Sequence, residues 1–311
     1  MKNTLAAIDI GTNSFHLIVV RYFSDGRIKL LDNKRVFLRL GSGKRDNKSY
    51  ITESDFEKAI SAIRDFMRII SGYDANVRAV ATSAVREAVN NTDFVERIFS
   101  ETGLSVEIID GKTEADLIFK GMKNAIPVRN KSVIGIDIGG GSTEFIYAVN
   151  EQIQFSESIN IGAVRLSKMF FPDYLITDKS VDECRNYIVH KINELIKYDK
   201  NIELDFAIGS SGTVDTICLI KQFQQKNSKT GSLNGYEFTA DEFESIYMYI
   251  MGLKTPGERM LVPGIEARRA DIIPSGLIIL SQAFRIFNIK KMVLSEFALR
   301  EGVIYDMVNK L

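Results

Sequence analysis

Two stretches of the chain hold an apolar run that ends in an acid and a glycine-bearing turn, then resume as β-branched and aromatic positions. Val133–Tyr147 reads VIGIDIGGGSTEFIY, in which Asp137 is followed by Gly139, Gly140 and Gly141 and then by Ser142, Thr143 and Glu144. Leu5–Val19 reads LAAIDIGTNSFHLIV, with Asp9 aligned to Asp137. Each pattern predicts strand, tight turn, strand. Phe15–Tyr22 then continues as a strand, Ser24-Asp25-Gly26 turns into Arg27–Leu31, and Arg35–Leu40 predicts a further strand. Glu144–Val149, a turn near Asn150-Glu151 and Ile153–Asn160 repeat that order. This is one internal duplication of a three-stranded meander rather than a solenoid repeat. It implies two similar halves that face one ligand.

After each meander the period changes. Gly41–Tyr50, GSGKRDNKSY, is a polar loop, and Thr52 with Asp55 signals a helix start. Glu53–Ser71 then sets Phe56, Ile60, Ile63, Phe66, Met67 and Ile70 on one helical stripe. A strand at Val77–Ala81, a helix at Asp93–Glu101 stopped by Gly103, a strand at Ser105–Ile109 and a helix at Thr113–Asn124 complete the first half. The polar stretch Val128–Lys131 after Pro127 reads as the boundary. In the second half, Ser180–Tyr198 is helical, and Asp205–Ile208 is a strand running into Gly209–Thr213 and another helix. Gln224–Gly235 is a loop, Ala240–Met251 and Ile272–Phe287 are helices, Lys291–Leu294 is a strand, and Arg300–Lys310 is a closing helix. Alternating strands and helices argue α/β halves.

Composition narrows the function without naming it. A length of 311 residues suggests two domains. Forty basic and forty acidic residues cancel, so no global field draws nucleic acid or an anionic membrane, and cations for an anionic substrate have to be local. Cys184 and Cys218 are too few for a disulfide framework and suggest a reducing compartment. The N-terminus has no signal-peptide layout and no apolar run approaches a membrane span, so a soluble, cytoplasmic protein is expected.

The turns carry the candidate chemistry. Three adjacent glycines let the backbone approach an anion closely, since no Cβ stands in the way. DIGTNSFH at Asp9–His16, DIGGGSTE at Asp137–Glu144 and GSSGT at Gly209–Thr213 resemble the phosphate loops of the actin-like ATPase superfamily. Within it the chain resembles the exopolyphosphatase / guanosine pentaphosphate phosphohydrolase (Ppx/GppA) family. That resemblance rests on DIGTNSFHLIV, ATSAVREA (Ala81–Ala88), GKTEADLIFKG (Gly111–Gly121), IDIGGGSTE, RRADIIPSG (Arg268–Gly276) and ALREGV (Ala298–Val303), in the family's order. It covers essentially the whole chain and is closest to the short, two-domain form, because the chain stops soon after ALREGV.

The resemblance implies two actin-like (ribonuclease H-like) α/β domains, each a mixed five-stranded sheet flanked by helices, with the active site in the interdomain cleft. Residues 1–124 with 297–311 form the first, because the last helix returns to it, and residues 125–296 form the second. The implied reaction is hydrolysis of the terminal phosphoryl group of linear polyphosphate or of guanosine pentaphosphate. Such a reaction needs positioning and charge neutralisation more than covalent chemistry. Gly11, Thr12, Asn13 and Ser14, Gly139 to Thr143, and Ser211, Gly212 and Thr213 are the candidate phosphate binders, with Arg86 and Arg269 as bidentate braces. Asp9, Asp137 and Glu144 beside a polyanion imply a bridging Mg²⁺. The bland reading, acids that only cap turns, is disfavoured because the pattern occurs twice.

Glu114 falls at the family's catalytic glutamate, although the first of the usual two acids is here Thr113. It is the candidate to accept the attacking water's proton or to align the water. Spacing alone leaves open a helix N-terminal glutamate favoured by the helix dipole. Arg21 and Arg268 are weaker candidates. The basic run Lys34, Arg35, Arg39, Lys44, Arg45 and Lys48 reads as a solvated hairpin and loop in preference to a polyanion track. Ser42 replaces an acid frequent in the family. His16 reads as a strand residue, His190 as a packing residue, and Cys218 as a buried thiol. A homodimer is suggested by the resemblance alone. Two other functions stay open: an actin-like kinase, and a non-catalytic alarmone-binding sensor.

Overall fold

A computed structural model of the chain describes residues 3–40, 43–45, 48–195, 203–225 and 231–310. It divides into two compact units, Met1–Gly121 with Leu299–Leu311, and Met122–Ala298.

In the first unit, β1 (Thr4–Ile10), β2 (Ser14–Tyr22) and β3 (Ile28–Phe37) form the meander. A short hairpin, β4 (Gly43–Arg45) and β5 (Lys48–Tyr50), precedes α1 (Glu53–Ser71). There follow β6 (Asn76–Ala81), α2 (Ser83–Arg86), α3 (Asn91–Thr102), β7 (Val106–Ile108) and α4 (Gly111–Ala125). The sheet order is β3-β2-β1-β6-β7, antiparallel through the meander and parallel from β1 to β7. Leu5 to Ile8 are buried on both faces, as expected for a central strand.

The second unit repeats the plan. β8 (Ser132–Ile138), β9 (Thr143–Val149) and β10 (Gln152–Ile159) form its meander, followed by α5 (Ala163–Phe170) and α6 (Asp178–Leu195). Then come β11 (Phe206–Ser210), α7 (Ser211–Gln224), β12 (Glu237–Thr239), α8 (Ala240–Gly252), α9 (Pro256–Met260), α10 (Ile273–Ile286) and β13 (Lys291–Leu294). The order β10-β9-β8-β11-β13 matches the first sheet strand for strand, and β12 adds a sixth, antiparallel to β13.

Several local expectations differ from the structure. The strands expected at Arg27–Leu31 and Arg35–Leu40 merge into one, β3, which ends at Phe37 and whose middle stays paired to β2 through a bulge between Val19 and Val20. Polar Asp32 does not break it, because it accepts a hydrogen bond from the Tyr73 hydroxyl (3.1 Å). His190 is not packed inward; its side chain is 65% exposed and lies 3.1 Å from Glu194 on the same face of α6. Thr52 and Asp55 do form a reciprocal capping box. Cys218 is buried, and burial pushes its thiol up to about 12. Ser42 and the middle of the 224–235 loop lie outside the described residues. No helix among the described residues is long and apolar enough to cross a membrane.

The closing helix, α11 (Leu299–Val308), belongs to the first unit and packs on β1. Arg78 on β6 and Lys120 on α4 both reach Asp306 (2.6 Å each). Burial alone would raise the Asp306 carboxyl, but hydrogen bonds from Lys120, Lys310 and Arg78 outweigh it and hold it well below the usual carboxylate range. Its stabilising contribution is therefore present above the ordinary carboxylate pKa and is lost only in strong acid. At Gly302 the two helices touch backbone to backbone: an added Cβ would lie 1.8 Å from the Leu117 carbonyl oxygen. Gly302→Ala is expected to destabilise the protein by about 3 kcal/mol through overpacking, lowering Tm by roughly 6–12 °C in a calorimetric scan. A Tm within about 2 °C of the parent would contradict that contact.

Candidate functional site

In the first unit, the parallel strands end side by side. The Thr82 amide donates to Ile10 O (3.2 Å) and the Ile109 amide to Ala81 O (3.1 Å). Carboxyl ends of strands in open α/β sheets are where ligands bind, and the candidates follow these ends in turn. After β1 the chain makes its first turn, in which the Gly11 amide donates to Ser14 O (3.2 Å). A Cβ on Gly11 would stand 3.1 Å from that oxygen and 3.6 Å from Asp9 Oδ1, so the acid lies against the turn. Thr12 and Asn13 are half-buried and Ser14 is buried. The Asn13 carbonyl is held from the far end of β3, by the Leu38 and Arg39 amides (3.1 and 3.2 Å).

Behind β7, Asp110 caps α4 by accepting from the Thr113 amide (2.7 Å). That bond, joined by the Thr113 hydroxyl, holds the Asp110 carboxyl below its ordinary value. Glu114 in the first turn is 5% exposed, and Arg86 Nη1 donates to its Oε2 (2.8 Å) and to Ile109 O (3.0 Å). The guanidinium expected at a phosphate is thus used to orient the candidate catalytic carboxylate.

In the second unit the same turn recurs, with the Gly139 amide donating to Ser142 O (3.0 Å). Its support is different. The Gly162 amide donates to Gly141 O (3.1 Å), Ala163 N to Gly139 O (2.9 Å), and Val164 N and Arg165 N to Gly140 O (3.0 and 3.1 Å). Arg165 Nε adds a bond to Gly141 O (2.7 Å). The amino end of α5 therefore takes all three glycine carbonyls. Because a trans peptide points its N–H opposite its C=O, the amides of Gly140, Gly141 and Ser142 are turned away from α5, as backbone donors able to meet an anion. Thr143 differs from expectation in its side chain: it is fully buried and its hydroxyl donates to Ile161 O (2.9 Å).

Asp137 and Glu144 are cross-strand partners, 6% and 2% exposed. Ser158, opposite Glu144 on β10, donates to its Oε1 (2.7 Å). Ser210, beside Asp137 on β11, has a buried hydroxyl with no hydrogen-bond partner among the described residues. Like charges directly opposite one another are unfavourable unless a cation accompanies them. Among the described residues no group of three or more acids, histidines or cysteines forms a dedicated cage. Mg²⁺ is characteristically held by one or two carboxylates, with substrate oxygens and water completing the octahedron. The Asp137–Glu144 pair, with an unsatisfied hydroxyl beside it, suits that ion.

The third turn opens α7. Ser211 is left-handed (φ 68°), and Gly212 lies under the Arg269 guanidinium, so closely that a Cβ there would be 1.7 Å from Nη1. Thr213 in turn occupies the space a Cβ on Gly276 would need (2.2 Å to Oγ1). The motifs GSSGT and RRADIIPSG are thus one packed unit. Arg269 is 9% exposed; burial lowers its pKa, against the opposing pull of Asp215 and Glu266, and an arginine keeps its charge regardless. Arg268 is exposed and paired with Glu266 (2.8 Å), and Arg21 is an exposed strand position.

Gly162 and Arg165 escaped the sequence reading. One signal was available: Arg165 sits in the first turn of a helix, where the dipole disfavours a cation, so another task for it was worth seeking.

The model of the Ppx/GppA phosphatase family matches residues 18–311. A Haemophilus influenzae protein named "Putative exopolyphosphatase" is 31% identical over 304 residues, 97% of this chain and 91% of that one. The guanosine-5'-triphosphate,3'-diphosphate pyrophosphatase of Photobacterium profundum is 28% identical over 309 residues, 98% of this chain but 59% of its own length. This chain therefore spans less than two thirds of that relative. The crystal structure of an exopolyphosphatase from Cytophaga hutchinsonii superposes with a TM-score of 0.91 at 28% identity, over 99% of this chain and 98% of that one. The Aquifex aeolicus member of the Ppx/GppA family gives 0.83 at 25% identity, with 99% and 98% covered.

Proposed function

The chain belongs to the Ppx/GppA phosphatase family, and from that premise we propose that it hydrolyses the terminal phosphoryl group of inorganic polyphosphate or of guanosine pentaphosphate. The observation that carries the reading is the Arg86–Glu114 pair, a buried carboxylate fixed by a guanidinium at the carboxyl end of parallel strands. A sugar-type kinase would have to exclude water, whereas this carboxylate suits directing it.

In this reading the turns of each unit hold phosphate oxygens. The amides of Gly140, Gly141 and Ser142 hold oxygens of the phosphoryl group, and the Ser211–Thr213 turn with Arg269 holds the neighbouring phosphate oxygens. Gly11 to Ser14 play the matching part in the first unit. Glu114, its Oε2 held by Arg86, aligns a water for in-line attack and receives its proton. Asp137 and Glu144 would hold Mg²⁺, which would supply neutralisation of the phosphate charge. Asp137→Asn is expected to raise the Mg²⁺ concentration for half-maximal activity by about tenfold to a hundredfold. An unchanged metal titration would remove Asp137 from that role.

The deciding experiment is phosphate release, with Mg²⁺ and no acceptor, from long polyphosphate, short polyphosphate and guanosine pentaphosphate side by side. Release from one of them supports the hydrolase and names its substrate. No release from any overturns it. Turnover that requires an added acceptor would indicate a kinase, and tight guanosine tetraphosphate binding without turnover would indicate a sensor.

A further inference from the structure

The duplicated turns have diverged in what stands beside them. In the second unit the row crossing the meander is Asp137, Glu144, Ser158. In the first unit the register places Asp9, His16 and Arg35 in the equivalent row. A second acid has become histidine, and a serine hydroxyl has become a guanidinium.

Arg35 is directed at the turn. Its Nε donates to Ser14 Oγ (3.2 Å), which lies the same distance from His16 Nε2. Its guanidinium carbon stands 4.4 Å from the centroid of the Phe37 ring, and Phe37 pairs with Ser14 across the strands. Ser14, His16, Arg35 and Phe37 therefore share one face of β2 and β3, and the aromatic ring packs against the guanidinium beside the turn. Lys34 next to Arg35 points to the opposite face by strand alternation.

We propose that Arg35 makes the first turn a phosphate subsite that works without the divalent cation, while the acidic row of the second unit holds the metal. A planar guanidinium with parallel donors matches phosphate oxygens, and the Gly11–Ser14 turn adds its own polar groups beside it. This division of labour rests on the hydrolase reading above for its substrate, a chain of linked phosphates.

The test is calorimetric binding of tripolyphosphate in excess EDTA, so that it does not depend on turnover. The parent protein is expected to bind, Arg35→Met to bind about tenfold to a hundredfold more weakly, and Arg35→Lys to recover part of the loss. Lys34→Met, which removes the neighbouring cation on the opposite face of β3, should leave this metal-free affinity within about threefold of the parent, less than one tenfold step in free energy. With Mg²⁺ present, Arg35→Met should raise KM for polyphosphate more than it lowers kcat, with the Mg²⁺ titration unchanged. Parental affinity in Arg35→Met, or no tripolyphosphate binding by the parent in EDTA, overturns the subsite. Absence of phosphate release by the parent would instead overturn the hydrolase reading, and the calorimetric comparison would still decide on Arg35.

Discussion

Glu114→Gln is expected to lower kcat for phosphate release by about 10²–10⁴-fold, the usual worth of a positioned proton acceptor. The amide keeps the size of the carboxylate, and its oxygen can still accept from Arg86 Nη1, which now lies 2.8 Å from Oε2. Asp110 still caps the helix through the Thr113 amide, so α4 keeps its start. What the substitution removes is the ability to take a proton from the attacking water. Substrate affinity, measured by equilibrium binding on the inactive variant, should stay within about threefold, because the phosphate-holding groups are elsewhere. A kcat within tenfold of the parent, a loss of at most about 1.4 kcal/mol in the barrier, would mean that Glu114 is not the base.

Gly162→Ala is expected to disable the second unit's turn with an effect nearly as large. A Cβ at this position would lie 2.3 Å from the carbonyl carbon and oxygen of Gly140 and 2.4 Å from that of Gly141. These are backbone atoms and cannot swing aside. Either α5 withdraws or the glycine turn shifts, and in both cases the carbonyls lose the Gly162, Ala163 and Val164 amides that aim the turn. Misplacement of this order costs about 10²-fold in rate, so kcat/KM should fall by that factor or more. Overpacking should also cost about 1–3 kcal/mol of stability. Gly252→Ala, where an added Cβ meets nothing within 4 Å, is the control. A Gly162→Ala enzyme with parental kcat/KM would show that the turn does not need its helical support.

Contrasting Gly162 with Asp137 shows what the sequence made legible. The acid, the glycines and the hydroxyls of each turn are consecutive residues, so their joint chemistry and its duplication could be read from the chain alone. The helix caps at Thr52 and Gly103 were visible for the same reason. The supports were not, because each is a contact between distant positions. Gly162 meets Gly140 only because α5 folds back onto the end of β8, and Arg269 meets Gly212 only because two motifs pack together. Arg86 carried the right charge for a phosphate clamp, and only the side-by-side ends of β6 and β7 reveal that it faces Glu114. Arg35 was hidden in a run of six cations, five of which give no reason to single it out. Thr143 erred in the other direction, a hydroxyl in the motif whose bond is made inward.

The return of α11 has a consequence for how the protein is made. On the ribosome the N-terminal segment is synthesised first, yet the helix that covers β1 and locks onto Arg78 and Lys120 is made only after the whole second unit. The second unit is continuous in sequence and can complete its core as it emerges, whereas the first must wait with the face of β1 that α11 covers still open. The order of completion expected from this topology is thus the reverse of the order of synthesis, and the last element to arrive closes against α4, the helix that carries Glu114.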